Sequence, residues 1–196
     1  MNKKAQKILD ATIRLFLGDG VKKTTMDEIA GAAGASKVTV YKYFTDKDTL
    51  QLYAGRQMLA RAAARLEAAA RLQLPLRRRL SAVMEEISAF TDGGEFALCR
   101  ELAALGPAMD AELAVYQRTY KNTLYALIDE GMAAGYMKSG PDRELIFYYI
   151  DMGVRYYQQN EEYRLRMRGD KAFRDRYMLF FIGNIFTDGA AVLTGA

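Results

Sequence analysis

Apolar residues recur with a helical period along most of the chain. Ala5, Leu9, Ile13, Phe16 and Leu17 share one face of a first helix running from about Lys3 to Leu17, and Gly18-Asp19-Gly20 stops it. Thr25-Met26-Asp27-Glu28 has the form of a capping box, in which Thr25 caps a short second helix and Glu28 reaches back to it. The small residues from Ile29 to Ala33 lead into Gly34, as a tight helix-to-helix turn requires, and Ser36 is suited to cap a third helix through Phe44. Thr45 or Asp46 caps a fourth helix from about Lys47, which the Ala/Arg/Leu-rich run to Leu72 extends for several turns. Two short helices joined by a glycine-containing turn make a helix-turn-helix candidate.

Leu74-Pro75 breaks the pattern, and Pro75 sits near the first turn of a fifth helix ending around Asp92-Gly93-Gly94. A short sixth helix, from Glu95 to Leu105, ends at Gly106-Pro107. The seventh places Leu113, Tyr116, Tyr120, Leu124, Leu127 and Gly131 on one face and stops near Gly135. Pro141-Asp142 opens an eighth helix to about Asn160 with two adjacent apolar stripes: Leu145, Tyr148, Met152 and Tyr156, and beside them Ile146, Tyr149, Gly153 and Tyr157. Such a wide apolar surface predicts more than one packing neighbour. After a charged loop containing Gly169, the last helix, Tyr177 to Phe186, is apolar nearly all round and is expected to be buried, with a partner subunit the natural place. The pattern as a whole predicts an all-α fold of about nine helices.

Composition supports this reading. Only three prolines interrupt 196 residues of which 51% are hydrophobic, enough for a real core. Charge adds a direction: residues 1–60 hold ten Lys/Arg against six Asp/Glu, and the remainder holds 18 of each sign, so the chain's net +4 sits in its first third. A phosphate-facing surface needs such a bias, although solvated lysines alone look similar. One cysteine, Cys99, permits no internal disulfide, and the absence of histidine closes most zinc, haem and imidazole-base chemistry. No catalytic residue, cofactor or metal is expected, and the chain is not expected to be an enzyme. The N-terminus lacks a signal-peptide core and no stretch approaches a spanning helix, so a soluble, cytoplasmic protein without membrane partners is expected.

The segment KILDATIRLFLGDGVKKTTMDEIAGAAGASKVTVYKYFTDKDTL resembles the N-terminal domain of TetR (tetracycline repressor) family regulators. Ile8, Ala11, Leu15, Phe16, Gly20, Thr24-Thr25, Ile29-Ala30, Ala33-Gly34, Ser36, Tyr41, Tyr43-Phe44, Lys47 and Leu50 carry the likeness. Val38 departs from it where glycine is common, and Ala35 where valine is. Farther on, LIDEGMAAGYM and Pro141-Asp142 are similar to the family's join between helices seven and eight. The resemblance implies a helix-turn-helix DNA-binding domain over 1–50, with the fourth helix linking on from about 46, and a helical ligand-sensing and dimerisation domain over 51–196. It further implies a homodimeric transcriptional regulator, a repressor released from a palindromic double-stranded DNA operator by a small-molecule effector that the residues do not identify. The competing reading is a DNA-binding regulator or architectural protein whose C-terminal domain is packed and senses nothing.

A helix lying in the major groove must bury one side and offer polar groups on the other. Val40 and Phe44, four apart, are expected in the core with Ile29 and Phe16. Lys37 and Thr39 are expected at base edges and Val38 at a thymine methyl, with Ser36 at the head of the same helix. Phosphates are assigned to Thr25, Tyr41, Lys42, Tyr43 and Lys47. Lys47 opposes the dipole of its own helix, which a bound phosphate would justify, although flanking Asp46 and Asp48 also neutralise it. For Tyr41 and Tyr43 a packing role is the alternative, and Lys3, Lys4, Lys22 and Lys23 read as solvated charges.

For the C-terminal half, the resemblance implies a pocket among the middle helices and a four-helix bundle formed by the last two helices of each subunit. Met84, Ile87, Phe90, Phe96, Tyr120, Leu124 and Tyr149 are suitable pocket material, with ordinary core packing as the competing reading for each. Ile146, Tyr156, Tyr177, Phe180, Phe181 and Ile185 are the expected dimer contacts. Asp151 and Arg155, one turn apart, are expected to form an intrahelical ion pair.

Overall fold

The computed structural model describes residues 2–187. Among these lie ten α-helices: α1 Lys3–Asp19, α2 Met26–Ala33, α3 Lys37–Tyr43, α4 Lys47–Ala70, α5 Leu76–Asp92, α6 Glu95–Leu102, α7 Pro107–Ala133, α8 Arg143–Gln159, α9 Glu161–Gly169 and α10 Lys171–Gly183. A 3-10 turn over Ala103–Leu105 follows α6, and one isolated antiparallel bridge joins Met137 to Phe186. None of the described helices is long and apolar enough to cross a membrane.

The chain divides into two compact units, one made of residues up to 65 with 88–118, the other of 66–87 with 119 onward. In the first unit α1 packs on α2 and α3, and α2 on α3. Ile8, Leu9, Phe16, Ile29, Val40, Phe44 and Leu50 are all buried there, as the helical spacing predicts. Asp10 on α1 is the polar tie to α4: it accepts from Arg61 at 2.6 Å and Gln57 at 3.1 Å, and from Gln6 on its own helix at 3.0 Å. Burial opposes its charge, but these donors hold the carboxyl below the usual aspartate range. Beyond α4, Glu95 at the start of α6 pairs with Arg65 at 3.0 Å, and the ring of Phe90 meets those of Phe96 and Tyr116. Cys99 is fully buried, and burial pushes its thiol up to about 12, so it stays protonated and unreactive.

In the second unit α8 buries Ile146, Phe147, Ile150 and Val154. The expected Asp151–Arg155 ion pair is present at 2.5 Å, and Asp151, itself buried, also accepts from the Tyr120 hydroxyl at 3.1 Å. Arg143 pairs with Asp129 at 2.8 Å and Arg79 with Glu130.

The end of the chain corrects the sequence reading. The expected charged loop is helix α9, and α10 starts at Lys171 rather than Tyr177. Two side-chain caps explain this: Asn160 accepts from the Tyr163 N–H and Asp170 from the Phe173 N–H, both at 2.8 Å. Glu161 and Glu162 in the first turn of α9 and Arg166 and Arg168 in its last turn complement its dipole. Within its own chain the final helix leaves Leu179 and Phe180 exposed.

Candidate nucleic-acid interface

The ends of α2 and α3 are set by contacts between near neighbours in the chain. At the head of α2, the Glu28 N–H donates to the Thr25 hydroxyl at 3.2 Å, and the Thr25 N–H donates to the Glu28 carboxylate at 2.7 Å. This is the reciprocal capping box read from the sequence. The Thr25 N–H, then its hydroxyl, and further off the charge of Lys47, hold the Glu28 carboxyl below the usual glutamate range. Gly34 closes α2 at φ +60°, the left-handed conformation in which a side chain is strained, and the Ala35 N–H returns to the Ala30 carbonyl at 2.9 Å. Ser36 then caps α3, accepting from the Thr39 N–H at 3.1 Å. Of the two candidates for capping α4, Asp46 does so, accepting from the Thr49 N–H at 2.7 Å.

With its ends fixed, α3 has two sides. Val40 and the following Phe44 are buried, whereas Lys37, Val38, Tyr41 and Lys42 are exposed and Thr39 is half-buried. Val38 is 80% exposed, the largest value among the exposed large hydrophobics. A valine so placed gains nothing from its own fold. Thr39 shares a hydrogen bond with Ser36 at 2.8 Å, so both hydroxyls sit together at the head of the helix. Thr25 is exposed at the head of α2, and Lys47 is half-buried in the first turn of α4. Tyr43 is half-buried, and its hydroxyl accepts from the side-chain amide of Asn2 at 3.0 Å.

Two participants were missed in the sequence. Asn2 caps α1 through its side-chain oxygen while its amide holds Tyr43. Asp27 binds the Lys37 ammonium through both carboxylate oxygens, at 2.9 and 3.0 Å, and this pairing raises the lysine above its usual range. Neither is visible as periodicity, because each joins residues brought together only when the helices pack.

The residues assigned to a pocket fall in both units. Phe90 and Phe96 belong to the first unit and touch each other. Met84, Ile87, Tyr120, Leu124 and Tyr149 belong to the second. Ile87, Phe90 and Leu124 are fully packed, whereas Met84, Phe96, Tyr120 and Tyr149 keep partial exposure. Of the expected dimer contacts, Tyr156 and Phe180 are exposed, and Tyr177 and Phe181 are half-buried and stacked on each other. Ile146 and Ile185 are buried within their own chain. On α8 the stripe Leu145, Tyr148, Met152 and Tyr156 is exposed along its whole length, each residue more than half.

Residues 8–54 match the family model described as "Bacterial regulatory proteins, tetR family". The fatty acid metabolism regulator protein of Bacillus subtilis is 22% identical over 166 residues, spanning 81% of this chain and 86% of that protein. Among solved structures, a TetR-family regulator from Vibrio parahaemolyticus matches with a TM-score of 0.66 at 19% identity, over 94% of this chain and 99% of that one. FadR from Bacillus subtilis, solved in complex with stearoyl-CoA, matches with a TM-score of 0.56 at 22% identity, over 82% and 92%. These structural likenesses concern the fold, and the matched segment coincides with the capped, two-sided helix pair described above. Over residues 8–54, then, the chain carries a domain of the bacterial tetR-family regulatory type, and the likeness over the rest is one of fold.

Proposed function

We propose that the chain works in the cytoplasm as a homodimeric repressor that reads a palindromic operator through α3 and leaves it when a lipophilic small molecule binds. The observation that carries the DNA half is the division of α3 into a buried Val40–Phe44 side and an open Lys37–Val38 side, since a free-standing fold has no use for the second. Lys37 and Thr39 meet base edges and Val38 a thymine methyl, with Ser36 holding the head of the helix. Thr25, Tyr41, Lys42, Tyr43 and Lys47 anchor phosphates, which fixes register without reading sequence. Two copies bring two such helices to half-sites about 34–36 Å apart, one turn of duplex.

The exposed Leu145, Tyr148, Met152 and Tyr156 stripe of α8, together with Phe180 of α10, supports dimerisation through a self-complementary apolar face. The likeness to a fatty acid metabolism regulator and to a regulator solved with stearoyl-CoA supports an effector with a long apolar tail. Such a molecule releases DNA only by its difference in affinity between the operator-competent form and the other form.

A fluorescence titration of the purified chain on a duplex selected from a random pool, with and without stearoyl-CoA, tests this. Release is expected as a roughly 5- to 150-fold loss of DNA affinity, the usual span of such coupling, with coenzyme A alone having no effect. If neither acyl-CoA nor a panel of apolar molecules changes DNA affinity or melting temperature, the packed, non-sensing reading holds. The full burial of Ile87, Phe90 and Leu124 favours that second reading.

A further inference from the structure

Lys37 carries an acidic partner that folding does not require. Asp27 and Lys37 lie ten positions apart on different helices, yet both carboxylate oxygens reach the ammonium. Their side chains are 69% and 54% exposed, and pairs so open to water add little to stability. Capping of α2 is already done by Thr25 and Glu28. A surface that had only to hold phosphate would gain nothing from a carboxylate at this point, because Asp27 repels the backbone it approaches.

The charge on Asp27 therefore changes what Lys37 can bind. A free lysine is a mobile point charge that takes any phosphate, whereas an ammonium has three donors and the Asp27 carboxylate occupies only one side of it. With both Asp27 oxygens engaged, the donor left over suits a single acceptor such as O6 or N7 of guanine, which the floor of the major groove presents. A neutralised Lys37–Asp27 pair also releases no counterion on random duplex, so it contributes little to non-specific affinity.

We infer that Asp27 is a specificity-determining residue acting through Lys37: it holds the ammonium toward a guanine in each half-site and withholds it from phosphates. This role rests on Lys37 being a base reader, as proposed above, and the experiment separates the two.

Full-length wild type, Asp27→Asn, Asp27→Glu, Lys37→Met and the Asp27→Asn/Lys37→Met double variant are each used to select duplexes from a random pool. Each is also titrated against salt on one fixed non-target duplex. Asp27→Asn is expected to steepen the logarithmic salt slope on the non-target duplex by about one per subunit. It should also erase most of the preference for one G·C pair per half-site, which for a single donor is expected near the low end, about 5-fold, of the span of specific base contacts. Asp27→Glu keeps the pair and should keep the wild-type slope, and in the Lys37→Met background Asp27→Asn should leave the selected sequence unchanged and steepen the slope less than it does beside Lys37. Asp27's role is overturned if Asp27→Asn selects the wild-type sequence with the wild-type slope, or steepens the slope equally without Lys37. If Lys37→Met itself retains the G·C preference, Lys37 is not a base reader and both inferences fall. That outcome is distinct from a silent Asp27 beside an essential Lys37.

Discussion

At the scale of single residues, the helix-turn-helix segment is organised by caps that bind only their own neighbours. Thr25 both receives the Glu28 N–H and donates to the Glu28 carboxylate, so Thr25→Ala removes the two halves of one device. The expected cost is about 1 kcal/mol in urea denaturation, typical of a lost N-cap. The same device has a pH signature. The Glu28, Asp46 and Asp10 carboxyls are all lowered in the folded chain, so they bind protons more readily once it unfolds. Their contribution is complete above the ordinary carboxylate range and disappears as pH falls through the lowered values. Melting temperatures measured from pH 7 down to pH 3 should therefore drop in acid. In Thr25→Ala the Glu28 part of that drop should be missing, and an unchanged acid profile would mean that the cap does not hold the carboxylate. These caps were legible in sequence because a cap spans only three residues. Asp27's hold on Lys37 was not, since nothing local relates positions ten apart across a turn.

At the scale of elements, two helical glycines make opposite predictions. Gly31 in α2 has open space where a Cβ would go, so Gly31→Ala should stabilise by roughly 0.5–1 kcal/mol through helix propensity alone. Gly153 in α8 faces the Phe181 ring, two atoms of which would lie 3.0 and 3.1 Å from a Cβ added at this position. That ring is stacked between Tyr149, centroid 4.5 Å away, and Tyr177 at 5.8 Å, so it cannot swing aside. Gly153→Ala should destabilise by about 1 kcal/mol net, because the strain of overpacking exceeds the propensity gain. Thermal melts of the two variants shifted in the same direction would refute this packing of α8 against α10. Helices with an apolar face were readable from their period, and α8 begins just after Pro141-Asp142 as read, with Asp142 capping it by accepting from the Leu145 N–H at 2.8 Å. Helix α9 escaped because it buries no residue, so no apolar face marks it, and only its caps betray it.

At the scale of the whole molecule, the proposed pairing of two copies rests on the open stripe of α8. Met152, 63% exposed, lies within that stripe, so Met152→Glu should leave the fold intact and shift the protein from dimer to monomer in analytical ultracentrifugation. A Met152→Glu protein that still sediments as a dimer would place the interface elsewhere. Sequence alone could not choose this face, because α8 carries two adjacent apolar stripes and period marks both alike. Packing buries Ile146 from one and leaves Leu145, Tyr148, Met152 and Tyr156 of the other open. Pocket lining could not be told from core packing in the sequence for a related reason: an apolar residue on a helix face looks the same whether it meets a ligand or a neighbour, and Ile87, Phe90 and Leu124 are buried.

Whether the open side of α3 reads duplex DNA is decided by the double variant Lys37→Ala/Thr39→Ala. Affinity for the selected duplex and for a scrambled duplex should be measured side by side at physiological salt. The variant should keep its fold and most of its affinity for scrambled DNA but lose its preference for the selected sequence by tenfold or more, about 1–3 kcal/mol per lost base contact. Full retention of that preference by a folded variant would mean that α3 does not read the bases.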